Sequence, residues 1–164
     1  MGLFPIALIL AALLCSLVAG FLFAFAIVVM PGIGTLNDRE FIRAFQVVDR
    51  VIQNNQPVFV LVWVGSVLAL VAAAVLGVGQ LDGVHRLTII IATLAYVVGV
   101  QLPTVTINVP LNNRLQSVNV DTMNEDARRA ARSDFEPRWN RWNTIRTVVA
   151  SLVSALLVIL LFGL

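Results

Sequence analysis

Lysine does not occur in this chain, and histidine, cysteine and tyrosine occur once each. With one cysteine no internal disulfide is possible, and no cysteine-based metal site can be built from a single copy. With one histidine, His85, a bis-histidine haem or a histidine-rich copper or iron site needs another subunit. Charge is scarce as well. Only 12% of the 164 residues are charged, whereas 59% are hydrophobic, and the mean hydropathy is +0.93. A soluble domain of this length exposes far more charge, so a water-soluble globule is excluded. No module of interleaved basic and aromatic residues is present either, which argues against nucleic-acid binding despite a pI near 9.5.

What the chain does have is apolar length. Four stretches, about 3–30, 57–79, 87–109 and 145–164, are long enough to cross a bilayer as helices, which takes about 20 residues each. The second carries no charge from Pro57 to Gly79. Helices satisfy their own backbone hydrogen bonds in lipid, so the expected fold is all-α, a four-transmembrane-helix bundle forming one domain over 1–164. The first span has no basic residue before Pro5 and is about twice the length of a signal-peptide core, so it reads as a retained span.

All eleven basic residues are arginines. Nine fall in 31–56 and 111–142, which four spans place on one side; the short 80–86 connection contributes Arg86 alone. The positive-inside rule puts the arginine-rich side in the cytoplasm and both termini outside, in the cell membrane. Arg114 belongs to this set of topology charges.

Between the spans, Met30-Pro31-Gly32-Ile33-Gly34 reads as a stop for the first helix. A short amphipathic helix is predicted over about 39–53, with Phe41, Phe45, Val48 and Ile52 on one face. Arg39, Arg43, Gln46, Arg50 and Gln53 share the other, and the helix suits the membrane interface. Asp49 lies at the border, and its ordinary reading is an exposed carboxylate paired with a nearby arginine. His85 is expected at the opposite interface, in contact with water. Thr122 and Glu125 have the spacing of a capping box, opening a polar helix to about Arg132. A second start is expected at Ser133, with Pro137 in the first turn of the last helix.

Two polar faces stand out. On the third span Gln101, Thr104, Asn108 and Asn112 follow a helical period, and Pro110 is expected to bend or end that helix nearby. On the fourth helix Trp139, Trp142, Asn143 and Arg146 share a face, with Thr147 and Ser154 along its edge. Unpaired amides and a buried arginine are unfavourable in lipid. Both faces lie at the arginine-rich end, and so does the amphipathic helix. A cavity among Gln46, Asp49, Asn108, Asn112, Trp139, Asn143 and Arg146 is one outcome; span ends anchored at the interface by tryptophan, amides and a snorkelling arginine are the other.

The segments "FAFAIVVMPGI" (23–33), "FQVVDRVIQNNQPVF" (45–59), "TINVPLNNRL" (106–115) and "RWNRWNTIRT" (138–147) together resemble the anthrone-oxygenase-like family of small four-helix membrane proteins. The most specific pieces fall on Asn108, Pro110 and Asn112, and on Trp139, Trp142, Asn143 and Arg146. At Asp49 the chain departs from the family pattern, which favours an amide. The resemblance implies a shared fold and oxygen-dependent chemistry on flat hydrophobic, polyketide-like molecules, with no cofactor. In that case Arg146, Asn108 and Asn143 stabilise an enolate oxygen, Trp139 and Trp142 stack on the rings, and Asp49 is the base. Asn112, Gln101, Thr104 and Gln46 complete the binding surface. The alternative is a non-catalytic membrane protein holding a lipophilic ligand, a lipid or a protein partner. A transporter fits less well, because the four short spans carry few intramembrane charges.

Overall fold

A computed structural model describes residues 2–163. Five helices make up the fold: α1 Leu3–Gly34, α2 Asp38–Gln53, α3 Pro57–Gly77, α4 Gly83–Ser117 and α5 Glu125–Phe162. All but α2 are long and apolar enough to cross a membrane, as the four hydrophobic stretches predict. Around the bundle α1 packs on α3 and α5, and α4 packs on the same two helices. The amphipathic α2 lies across one end, against α5, the last turns of α1 and the last turns of α4.

Several helices run further than the sequence suggests. The first helix ends within the expected Met30–Gly34 stop, at its last residue and past Pro31, whereas Pro110 does not end α4. At Pro31 in α1 and at Pro103 and Pro110 in α4 the helix passes the proline by widening. A proline lacks the N–H of the helical ladder, and its ring clashes with the carbonyl four residues earlier. A π turn, with bonds spanning five residues, moves that carbonyl away. Among the described residues three such turns occur, Phe25–Val29, Val97–Gln101 and Thr104–Asn108, and each ends two residues before a proline: Pro31, Pro103 and Pro110. The residue just ahead of each proline donates across the wide turn: Met30 to Phe25 O, Leu102 to Val97 O, Val109 to Thr104 O.

The start of α5 also differs from expectation. Asn124 caps it, its side chain accepting from Ala127 N–H at 2.8 Å, while the Thr122 hydroxyl donates to Asn119 O in the preceding turn. No break occurs at Ser133, and Pro137 sits inside one continuous helix. Ser133 and Pro137 are both exposed, so water can solvate the carbonyl that Pro137 leaves unbonded. One side chain in this stretch also joins elements. Arg132 donates to Gly34 O and Leu36 O at 2.8 Å each, closing the C-terminal end of α1. It pairs with Glu136 at 2.7 Å and lies over the Phe41 ring of α2. A cation at a helix C-terminus also complements the helix dipole.

The core has two parts. Between the spans it is small and apolar, with Leu8, Ala11, Cys15, Ala73, Ile89, Ala92 and Leu157 interlocked. At the α2 end it is aromatic, with Phe25, Phe41, Phe45, Phe135 and Trp139. The buried face of α2 is Phe41, Ile42, Phe45, Gln46 and Asp49, rotated from the predicted stripe. Val48 is exposed, whereas Gln46 leaves the arginine face to donate to Leu115 O and Val118 O at 2.7 and 3.0 Å. Those two carbonyls terminate α4, and an amide satisfies them where a valine could not. Arg39 and Arg43 on the outer face both bind Asp121 in the α4–α5 connection. These two hydrogen-bonded guanidinium groups hold the Asp121 carboxyl below its usual range.

Candidate functional site

Beneath α2 the bundle forms a partly open cavity of about 250 Å³. A cavity of about 150 Å³ accommodates a benzene molecule, so this one has room for more than one ring. Its polar wall comes from α4 and α5. The helical period of α4 aligns Thr104, Asn108 and Asn112, and that of α5 aligns Trp139, Asn143 and Arg146; all six line the cavity together with Asp49 of α2.

Arg146 is 4% exposed. It donates to Thr104 Oγ1 at 2.9 Å and to Asn143 Oδ1 at 3.1 Å, and lies 6.0 Å from the centre of the Trp139 ring. Among the described residues no carboxylate pairs with it. Its Nε has no hydrogen-bond partner, and neither do Asn108 Oδ1 and Gln101 Nε2. Such groups are unfavourable when buried unless something enters to meet them. Asn108 Nδ2 is directed to Trp139 O at 3.4 Å, and Asn143 Nδ2 to Leu22 O at 3.1 Å, one turn before the π turn of α1.

Asp49 does not take the exposed, arginine-paired position that is its ordinary reading. It is 3% exposed and accepts from three amides: Asn112 Nδ2 at 2.8 Å, Gln53 Nε2 at 2.8 Å and Gln116 Nε2 at 3.0 Å. Asn112 is the joint of the site, since its Oδ1 also accepts from the Trp139 indole at 2.8 Å. A carboxylate on α2 and a ring on α5 are thereby held in register through one side chain of α4.

The apolar wall is what sequence spacing missed. Phe21, Leu22 and Phe25 of α1, Phe45 and Ile52 of α2, Phe59 and Trp63 of α3, and Val105 and Val109 of α4 complete the lining. Phe25 and Phe45 contact Trp139 with ring centres 5.7 and 5.6 Å apart, and Phe59 stacks on Trp63 at 5.3 Å. Spacings of four residues, Phe21 to Phe25 and Phe59 to Trp63, are the signal that was available. Gln101 stands just behind this wall, accepting from the Trp63 indole at 2.9 Å. Gln46 and Trp142 do not line the cavity; Gln46 buckles α2 to α4, and Trp142 is partly exposed on α5. Arg114 is exposed. His85 is at the far end of α4, 2.9 Å from Asp82.

A four-span membrane bundle closed at one end by an amphipathic helix, with an aromatic cavity holding a buried arginine, is the class these features define. The chain belongs to the anthrone oxygenase family, whose model matches residues 45–157. The matched stretch takes in α3, α4 and most of α2 and α5; Phe21, Phe25 and the rest of α1 precede it. No curated protein and no solved structure is a match.

Proposed function

We propose that the protein is a cofactor-independent oxygenase acting on flat, hydrophobic, polyketide-like molecules that carry an acidic C–H bond. The observation that carries this reading is the unpaired, buried Arg146 facing a mostly apolar cavity that also contains the Asp49 carboxylate. Family membership supports it.

In this mechanism Asp49 takes a proton from a methylene conjugated with the substrate carbonyl. The carbonyl oxygen becomes an enolate, which Arg146, Asn108 and Asn143 stabilise as donors placed in advance where negative charge develops. For Asn108 this requires its amide to swing from Trp139 O, and for Asn143 from Leu22 O. The carbanionic carbon passes electrons to dioxygen and forms a C–O bond, giving a peroxide. Loss of the second proton from that carbon, with cleavage of the O–O bond, leaves a new carbonyl and releases water. The methylene supplies all the electrons, and one oxygen atom of dioxygen stays in the product. Trp139, Phe25 and Phe59 hold the rings, and the dry walls strengthen each electrostatic contact.

Oxygen uptake and quinone formation with anthrone test the reading. Arg146→Ala is expected to lower the turnover about 10²–10³-fold, the effect of removing an oxyanion donor. Arg146→Lys, which keeps the charge, recovers part of it. Equal activity in Arg146→Ala and wild type removes Arg146 from the mechanism.

One feature favours a second reading, a non-catalytic protein that holds lipid. On the outer face of α2 the exposed Val47 and Val51 lie beside Arg43 and Arg50, a suitable cradle for an anionic head group. Native mass spectrometry from mild detergent separates the two. A co-purifying phospholipid or protein partner supports the second, and a bound aromatic molecule supports the first.

The orientation proposed with this function places the arginine-rich end, and therefore the site, on the cytoplasmic side of the cell membrane, with both termini outside.

A further inference from the structure

The aromatic wall between α1 and α3 has a second face. On its outer side lies another apolar hollow of about 250 Å³, lined by Leu17, Val18, Phe21, Val58, Phe59, Val62 and Trp63. Phe21, Phe59 and Trp63 belong to both linings. The rim residues Leu17 and Val58 are 50% and 61% exposed, in spans whose outward surfaces are apolar throughout this stretch. These three shared aromatic side chains therefore stand between the polar cavity and the lipid-facing hollow.

These three are not held equally. Trp63 is fixed by its indole hydrogen bond to Gln101. Phe21 is wedged between Phe25 and Phe59, with ring centres at 4.9 and 5.3 Å. Phe59 has only stacking contacts, near the start of α3 and two residues after Pro57. A ring held by stacking alone is the one that turns aside at least expense, because rotamer changes break no hydrogen bond.

We propose that the hollow between α1 and α3 is the entrance to the cavity, admitting a flat apolar molecule sideways from the bilayer, with Phe59 as the moving part of the gate. This rests on the reading that the cavity binds such molecules. Its physical basis is partition: a hydrophobic ring system concentrates in lipid, and reaching the cavity through the hollow requires no return to water. The two linings differ in the way such a path requires. The outer hollow has no charged or amide side chain, whereas the inner cavity presents Asp49, Asn108, Asn143 and Arg146. A molecule therefore meets polar groups only after passing the aromatic layer, and these retain it there.

The test follows anthrone entering the protein in liposomes by stopped-flow quenching of tryptophan fluorescence. The double variant Leu17→Phe/Val62→Phe fills the hollow without touching a polar group of the cavity. It is expected to slow association by about tenfold, within the range over which association rates vary among variants of one site. Phe59→Ala is expected to speed both association and release. Val75→Phe, at an exposed position near the far end of α3, is the control and leaves the rate unchanged. Helical circular dichroism and the thermal midpoint establish that each variant is folded. If wild type and the filled double variant bind anthrone at the same rate, the entrance is wrong and the cavity reading stands. If wild type does not bind anthrone at all, the cavity reading fails and the entrance with it.

Discussion

At the scale of single residues the site depends on opposite charges that do not touch. Arg146 has no carboxylate partner, and Asp49 has no cation, yet both line one cavity. An ion pair between them would neutralise each group, whereas keeping them apart leaves both free for the roles the proposed mechanism gives them, base and oxyanion donor. Replacing Asp49 by Asn keeps the size of the side chain and removes the base. Oxygen uptake with anthrone is expected to fall by about 10²–10⁴-fold, the usual contribution of a general base. Anthrone binding, followed by fluorescence quenching, should remain because the aromatic walls are intact. Unchanged turnover in Asp49→Asn would assign proton abstraction elsewhere. The polar residues of α4 and α5 were legible in the sequence because three- and four-residue spacings are a local property of helices. The burial of Asp49 was not. It depends on Asn112 and Gln116, 63 and 67 residues away, and only the packing of α2 under α4 brings these amides to it. The phenylalanines of α1 and α3 were hidden for another reason: inside an apolar span, a ring facing a cavity and a ring facing lipid look alike.

At the scale of elements, the π turns connect sequence to site. Two of them occur in α4, and the second, Thr104–Asn108, contains two of the cavity's polar residues. A wide turn advances the helix by less rotation per residue than an α turn, so it sets how Thr104 and Asn108 face relative to Asn112 beyond Pro110. The prolines announced a disturbance, and sequence reasoning took it for a bend or an end. The physical alternative, a helix that widens and continues, leaves no periodic trace. Pro110→Ala restores a backbone donor and removes the ring, so the stretch can return to α geometry. This variant is expected to gain stability on the order of 1 kcal/mol, seen as a higher thermal midpoint, because an interior proline is unfavourable. It is also expected to lose most of its oxygen uptake, since Asn108 turns from its place in the wall. A variant that is as active as wild type would show that the π turn merely accommodates proline and does not shape the site. The N-terminal half of α5 teaches a related point. Pro137 and the capping signals there are real, yet one helix runs through them because Phe135 and Trp139 are anchored in the aromatic core.

At the scale of the whole molecule, polarity is gathered at the end of the bundle that holds the cavity. The far end holds a short turn with Asp82, His85 and Arg86, whereas α2, the last turns of α4 and the N-terminal half of α5 carry nine arginines. Some of these charges are structural as well as topological: Arg132 closes α1, and Arg39 and Arg43 fasten α2 through Asp121. The positive-inside rule counts basic residues whatever else they do, so the proposed orientation follows from the same groups that hold the lid helix in place. Single cysteines placed at Asn54, in the α2–α3 turn, and at Gln80, in the α3–α4 turn, report on the two sides; both positions are exposed. The native Cys15 is buried between spans and stays silent toward a water-soluble reagent. In intact cells a membrane-impermeant maleimide is expected to label Gln80→Cys, and Asn54→Cys only once the membrane is opened. The reverse pattern would place the site on the outer face. The cavity would then receive molecules from outside the cell, and oxygen-dependent chemistry on compounds made within it would no longer fit.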